Sequence, residues 1–580
     1  MRRMVSAEHQ AEHADSEPPP HGGIVIPQRR RAVQVLFLVG SLAALAPLAR
    51  LNVAQPQPLL FFSWLAAMLL YLLQWPRPRG LLRRRPSRWL LVGLAAYVLI
   101  LFAGFCRVYD NWRFAVTGDS LLFYAVGEQV VLGQVNALNV TGVFEQCTIV
   151  QGALQNVFML VSVSLFAHRL GNLLWHALIV ISAALFAAQT SSATAAVLLG
   201  VFLPANSVFQ LFTLISYPNF SGVLPYYAAY ALFLAAWRVW ESNFLWAALG
   251  LVCGLAVYFL PLWMGAVGIV SAGVVLSALY WRTPRIFLVW AGGVAIAFLP
   301  GLLQFSRLIH IWFVFRPTQG LSVEYFLRIL KQTLSLPLAS DQRGYGADGP
   351  WLRPPFGYLF LAGGVLAAVS GVLALLRRPR GATLRHAWFW LLLFVGDAVG
   401  LSLQNSGYGA ISVKRAIVLL PAMMFLTVLP LAWIAERVGR TWFTVVLTLV
   451  TLCPYGYLNA TTLWNLPYGF NVGDGIVEAV QTAPVPILLV TRDKGLWAQF
   501  GSGRTPHDPI QEMFHVRDHT IVTDAIPQKR SDFQRTVCTS RHTDGQEWGE
   551  QVRQALATLC PGNRFQQLTA QLECVVCDPP

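Results

Sequence analysis

Long apolar runs separated by short polar stretches dominate the chain from Ala32 to Leu458. Runs of roughly 17 to 22 residues, the length an α-helix needs to cross about 30 Å of hydrocarbon, fall at 33–49, 58–75, 89–106, 171–189, 221–237, 244–262, 264–281, 286–304, 356–376, 388–404, 413–434 and 441–458, with a shorter one at 193–205. The pattern predicts an α-helical polytopic membrane protein with about 13 transmembrane helices, spread over residues 32–458. A further stretch, 146–167, mixes Gln146, Gln151, Gln155 and Asn156 into its first half and reads as a helix lying at the interface. From about Tyr457 the pattern changes. Pro484 to Thr491 and His519 to Ile526 read as short buried strands, and Trp548 to Leu559 as an amphipathic helix, so 459–580 is expected to form a small α/β domain.

Composition agrees with the pattern: 56% of the 580 residues are hydrophobic and only 12% charged, too apolar for a soluble protein. The net charge of +15 does not point to nucleic acid, because the arginines cluster in short stretches between apolar runs. Cytoplasmic loops have this character. Gln28–Arg31, Arg77–Arg88, Arg238, Arg282–Arg285, Arg377–Arg385 and Glu436–Arg440 all fall on one side only if 146–167 does not cross, the preferred reading, or if 193–205 is lost in its place. The expected topology has a cytoplasmic, disordered, Pro-rich segment at 1–31, extracytoplasmic loops at 107–170, 206–220 and 306–356, and an extracytoplasmic C-terminal domain. No cleavable signal is visible, since no small-residue cleavage site follows the first apolar run.

Four of the eight cysteines, Cys538, Cys560, Cys574 and Cys577, lie in the C-terminal domain. An even set on the outer side favours disulfides, and pairing Cys574 and Cys577 with more distant partners closes larger loops. The rival reading is a zinc or redox motif in Cys574–Cys577, with no second CxxC and no close histidine pair to complete it.

The outer loops hold most residues able to do chemistry. Asp119, in Thr117–Gly133, lies just past the end of an apolar run. Thr117, Asp119 and Ser120 are all good N-cap residues, so helix capping is one reading. The other is an active-site acid at the water boundary: Tyr124 and Glu128 follow at i+5 and i+9, and Asp110 precedes it by a short turn. Such a carboxylate can deprotonate an acceptor hydroxyl or ligate a divalent metal ion, which leaves the cofactor open.

Thr117–Gly133 resembles the first extracytoplasmic loop of the GT-C superfamily of polyprenyl-phosphate-sugar-dependent glycosyltransferases, which includes protein mannosyltransferases and aminoarabinose transferases of lipid A. The family's acid, following aromatic and closing glycine are matched by Asp119, Tyr124 and Gly133. Leu165–Phe220 is similar to the interfacial helix, span pair and second outer loop, and Val413–Leu426 to the opening of a late span. The resemblance implies an inverting transfer of sugar from a polyprenyl-phosphate donor to an extracytoplasmic glycan, lipid or protein, in the cell membrane. It implies Asp119 as the catalytic residue and Lys414 and Arg415 as the donor-phosphate cations, their bland alternative being interfacial snorkelling. Supporting candidates are Asp110, Tyr124, Glu128, Asn219, His310 and Asp341. Asn219 stands where many members carry an acid; the two extra N-terminal spans and the Cys-containing domain also depart from the pattern. The main competing function is a transporter or flippase, but the expected spans hold few ionisable groups, Asp397 and His176 being the clearest. A catalytically silent scaffold is the third.

Overall fold

The structure is a computed structural model, describing residues 58–78, 126–127, 130–131, 135–140, 142–144, 147–161, 165–214, 222–259, 264–314, 322–338, 350–376, 381–405, 416–464, 487–492, 520–533, 535–540, 546–567 and 572–577. Helices occupy ten of the long apolar runs named above: α1 (Pro58–Leu73), α3 (Leu165–Thr190), α6 (Val223–Arg238), α7 (Asn243–Ala256), α8 (Met264–Tyr280), α9 (Pro284–Leu303), α12 (Phe356–Leu375), α13 (Trp388–Asn405), α14 (Leu419–Val438) and α15 (Thr441–Trp464). The runs 33–49 and 89–106 lie outside the described residues, so the total of thirteen does too. Among the described residues, six helices are long and apolar enough to cross a membrane. The short run at 193–205 forms α4 (Ala193–Phe202), followed by α5 (Ser207–Leu214) after a bend of 61°.

Two sequence expectations change. The described part of 146–167, read above as an interfacial helix that does not cross, folds as β2 (Cys147–Thr148), paired antiparallel with β1 (Gly142–Phe144), then the seven-residue α2 (Ile149–Gln155), turns, and the start of α3. Every residue of α2 is buried, so it is an interior helix rather than one lying on a surface. The segment 306–356 is not simply a loop. It contains α10 (Phe305–Val314), mostly apolar, and α11 (Val323–Ser335), whose Glu324, Arg328 and Lys331 set against apolar Ile329 and its neighbours make it amphipathic.

The core is organised around α14, a predominantly apolar helix buried along most of its length, with its charged residues Glu436 and Arg437 confined to the last turn. Small residues set the closest crossings, as membrane helices require when the solvent offers no hydrophobic push between them. A Cβ on Gly363 of α12 would lie 1.7 Å from the Leu426 carbonyl oxygen of α14, and one on Gly250 of α7 would lie 2.1 Å from that of Trp290 in α9. On another side of α14, Phe425 stacks on Trp390 of α13 with centroids 4.2 Å apart.

Contacts at the helix ends sort the connections into two groups. Arg238 donates to the Gln189 carbonyl at the end of α3. Trp240 stacks on Trp281, 5.0 Å away, which brings the end of α6 to Arg282–Arg285, and Arg285 lies over the Trp75 ring after α1. Ser191 donates to the Thr383 carbonyl, the His386 amide donates to the Thr190 carbonyl, and the Thr383 hydroxyl donates to Glu436. The described parts of five of the six arginine-rich stretches are therefore drawn to one end of the bundle; Gln28–Arg31, residues 79–88 and residues 377–380 are outside the described residues. At the opposite end Asn206, after α4, donates to the Trp351 carbonyl and the Tyr455 hydroxyl, and Asn459 accepts from the Ser207 amide. Gln304, after α9, holds the 135–140 segment through Leu138 and Val140.

The C-terminal sheet has five strands in the order β4 (Thr520–Thr523), β3 (Ile487–Val490), β5 (Thr536–Ser540), β7 (Leu572–Val576), β6 (Gln566–Gln567). β3 runs parallel to both β4 and β5, whereas β5–β7 and β7–β6 are antiparallel. The two strands read from sequence are β3 and β4; β5, β6 and β7 are additional. Helix α16 (Gln546–Leu559) covers one face, packing Trp548, Val552 and Leu556 against Leu488, Val490, Val537 and Val575. Cys538 and Cys574 are directly opposed in the β5–β7 register and form one disulfide; Cys560, after α16, pairs with Cys577. The zinc or redox reading of Cys574–Cys577 is thereby replaced by two crosslinks, each to a distant partner.

Candidate functional site

At the end of the bundle opposite the arginine-rich connections, α2 and the first half of α3 gather polar side chains that the membrane interior would not tolerate unpartnered. Gln151, Gln155, Asn156, His168, Arg169, Asn172 and His176 are all buried, Arg169 to 1% exposure. The local sequence explains how two helices come so close here. Thr148 caps α2 by accepting from the Gln151 amide, while its own hydroxyl donates to the Tyr258 carbonyl beyond α7. Gly171 then lets α3 pass, since a Cβ there would lie 2.0 Å from the Gln155 carbonyl oxygen. Trp175 donates to the Leu154 carbonyl and fixes the crossing.

Within this crossing Asn156 Oδ1 lies 2.5 Å from His168 Nδ1. An amide oxygen only accepts, so Nδ1 carries the proton and Nε2 is left with the lone pair. Asn172 donates to the His168 carbonyl one turn back, and the His176 ring meets Phe209 of α5 edge-on at 5.6 Å. Among the candidates read from sequence, His176 figures only as an ionisable group in an expected span, and His168 and Arg169 do not figure. The available signal was a cation beside a histidine at the start of an apolar run, where a buried guanidinium calls for an anion or several acceptors.

The chain that follows Asp119 reaches this group. Val126, Gly127, Val130 and Val131 are helical, and Val126 and Val130, one turn apart, are buried. A Cβ on Gly127 would lie 2.8 Å from Met159 Sδ and 2.9 Å from Asn156 Cβ, so the segment packs directly on the residue that holds His168. Asp110, Asp119, Tyr124, Glu128, Asn219, Asp341, Lys414 and Arg415 lie outside the described residues. His310 is on α10, but its side chain is not among those described. Directly after Lys414 and Arg415, Ala416, Ile417 and Val418 are buried, and Tyr227 of α6 donates to the Val418 carbonyl. Asn459, which begins the sequon Asn459-Ala460-Thr461, is a buried helical residue bonded to Ser207 and Tyr455, a structural position. Among the described residues no three His, Cys, Asp or Glu side chains gather to hold a metal.

Fold and site together define a polytopic α-helical membrane protein with a buried polar group at one end of its bundle and a small disulfide-bonded sheet at its C-terminal end. No protein-family profile and no curated protein matches the chain. Among solved structures it is similar to ArnT from Cupriavidus metallidurans bound to undecaprenyl phosphate, at 14% identity and a TM-score of 0.46 over 86% of this chain and 100% of that one. It is also similar to the archaeal oligosaccharyltransferase AglB from Archaeoglobus fulgidus in complex with an inhibitory peptide and a dolichol-phosphate, at 12% identity and a TM-score of 0.44 over 78% of this chain and 69% of that one.

Proposed function

We propose that the protein is a membrane glycosyltransferase that moves a sugar from a polyprenyl-phosphate donor to an acceptor on the side of the membrane opposite its arginine-rich loops. The observation that carries this reading is the packing of Gly127, in the segment following Asp119, onto Asn156 beside His168 and Arg169. It concentrates polar chemistry at the end of the bundle, where a lipid-linked donor presents its phosphate. By the positive-inside rule the arginine-rich end is cytoplasmic, which makes the polar end and the C-terminal α/β domain, 459–580, extracytoplasmic, and the segment 1–31 cytoplasmic.

In the proposed inverting reaction Asp119 takes the proton from the acceptor hydroxyl, whose oxygen forms a bond to the anomeric carbon of the sugar. The bond from that carbon to the phosphate oxygen breaks, and the lipid phosphate leaves with the electron pair. Lys414 and Arg415 stabilise the charge that develops on it. Arg169, buried at the same end of the bundle as the polar group, adds a fixed positive charge there. Asp110, Tyr124, Glu128, Asn219, His310 and Asp341 are supporting candidates.

The test incubates purified full-length protein with a panel of radiolabelled polyprenyl-phosphate sugars and follows release of the lipid phosphate. A positioned base contributes about 10²- to 10⁴-fold to rate, so Asp119→Asn is expected to remove most turnover while donor binding persists. Lys414→Ala with Arg415→Ala should weaken donor binding as well. Turnover within about threefold of the parent in Asp119→Asn would make Asp119 a helix cap instead.

A further inference from the structure

A second polar feature lies away from the bundle end. α6, α8 and α13 enclose a cavity of about 420 Å³, and its walls include Tyr226, Ile269, Leu392, Gly396 and Gly400, with Asp397 among them. Ile269 and Leu392 are largely exposed on the outer surface of the bundle, so the cavity opens sideways toward the lipid. Asp397 stands nine residues after the start of α13 and eight before its end. At about 1.5 Å per residue this is roughly 12 to 13 Å from either end, near the middle of the hydrocarbon.

Both carboxyl oxygens of Asp397 lie within reach of the Tyr226 hydroxyl, at 2.8 and 2.9 Å. One hydroxyl supplies one proton, whereas a carboxyl group kept neutral at this depth still offers further acceptor lone pairs beside its own O–H. Among the described residues no other donor and no cation reaches it. The side chain is only partly buried, so its remaining acceptor capacity faces the cavity. The glycines beside it leave the helix backbone bare along the cavity wall. Gly396 and Gly400 are one turn apart, and a Cβ on either would meet nothing within 4 Å among the described atoms. Glycine inside a helix is less favourable than alanine. At Gly363 a helix crossing accounts for the missing side chain; at 396 and 400 the open space is the cavity.

We propose that this cavity binds a neutral long-chain alcohol from the bilayer, with the chain lying along the bare backbone at Gly396 and Gly400 and the hydroxyl donating to Asp397. The acceptor requires a donor on the ligand, and the depth selects a neutral one. An ammonium or phosphate head would have to leave the headgroup region to reach mid-membrane, whereas a hydroxyl gives up far less hydration. The site is independent of the proposed sugar transfer and stands whether or not that reading does.

The experiment uses full-length protein in phosphatidylcholine vesicles and two photoactivatable probes: a long-chain primary alcohol carrying a diazirine, and the matching hydrocarbon without the hydroxyl. The alcohol should label peptides of α6, α8 and α13 about tenfold more than the hydrocarbon, and unlabelled alcohol should compete. Tenfold corresponds to about 1.4 kcal/mol, within the scale of a hydrogen bond to a charged or buried acceptor. Asp397→Ala should reduce alcohol labelling to the hydrocarbon level. Gly396→Leu with Gly400→Leu should abolish labelling by both; the open space at these positions lets this variant fold even if Asp397→Ala does not. Equal labelling by alcohol and hydrocarbon, stronger labelling by the matching amine or phosphate ester, or undiminished labelling in the leucine variant would each overturn the proposal.

Discussion

Gly127→Ala tests whether the segment after Asp119 must sit where it does. The new Cβ would lie 2.8 Å from Met159 Sδ, 2.9 Å from Asn156 Cβ and 3.0 Å from Asn156 Cγ. These contacts differ in kind. Met159 is flexible, and its sulfur can swing aside at little cost. Asn156 Cβ sits next to its own backbone, and its amide is tied to His168, so it cannot retreat without breaking that bond or moving the start of α3. Overpacking a close site costs about 1 to 3 kcal/mol, and losing the buried hydrogen bond costs a further 1 to 3 kcal/mol or so. The less costly response is a shift of the helical residues Val126, Gly127, Val130 and Val131 by a fraction of an ångström to about 1 Å. A displacement of about 1 Å can lower an enzymatic rate about 10²-fold. Gly127→Ala should therefore lower turnover about 10- to 100-fold, with a modest loss of thermal stability and donor binding retained. Met159→Ala in the same chain should restore little, since it removes only the yielding contact. Asn156→Gly should relieve the steric conflict but not replace the bond to His168, so the double variant should show a coupling energy on the order of 1 kcal/mol. Wild-type turnover and stability in Gly127→Ala, or full rescue by Met159→Ala alone, would refute the reasoning.

Other expectations follow from the same structure. Removing Cys538–Cys574 or Cys560–Cys577, which span 36 and 17 residues, should cost about 3.8 and about 3.1 kcal/mol by loop entropy. Because the two loops overlap in sequence, the joint loss should be smaller than their sum; non-reducing mass spectrometry should find both crosslinks, and four free thiols in protein from its native host would contradict them. A C-terminal reporter active only in the cytoplasm should be silent, and activity would reverse the proposed orientation. Arg169→Leu should abolish turnover, and Arg169→Lys should restore only part of it, because an ammonium cannot reproduce a planar guanidinium. Asp532 is held below the usual carboxylate range by the Lys529 and Gln528 amides. Its stabilising effect is therefore present above the unfolded carboxylate pKa and lost as pH falls through the depressed folded value, so Asp532→Asn should destabilise the sheet at neutral pH and matter less in acid, measured by thermal unfolding at the two pH values.

The spans, the clustering of arginines and the change of pattern near Tyr457 were legible in the sequence because hydrocarbon thickness and loop charge act on local composition alone. Cysteine count and position likewise pointed to disulfides with distant partners. What the sequence could not provide was proximity. The glutamines of 146–167 suggested an interfacial helix, yet α2 is wholly buried, because β2 and the passage of α3 at Gly171 enclose it. Arg169 looked like one more basic residue until the crossing of α2 and α3 removed it from water beside Asn156, His168 and Asn172. Asp397 was visible as an acid in an apolar run, but only the meeting of α6, α8 and α13 gave it Tyr226 as a partner and a cavity to face. The bilayer constrains each helix through its own residues and can therefore be read along the chain. Burial of a polar side chain depends on which helices meet, and that is decided by close approaches such as Gly363 to Leu426, between residues far apart in sequence.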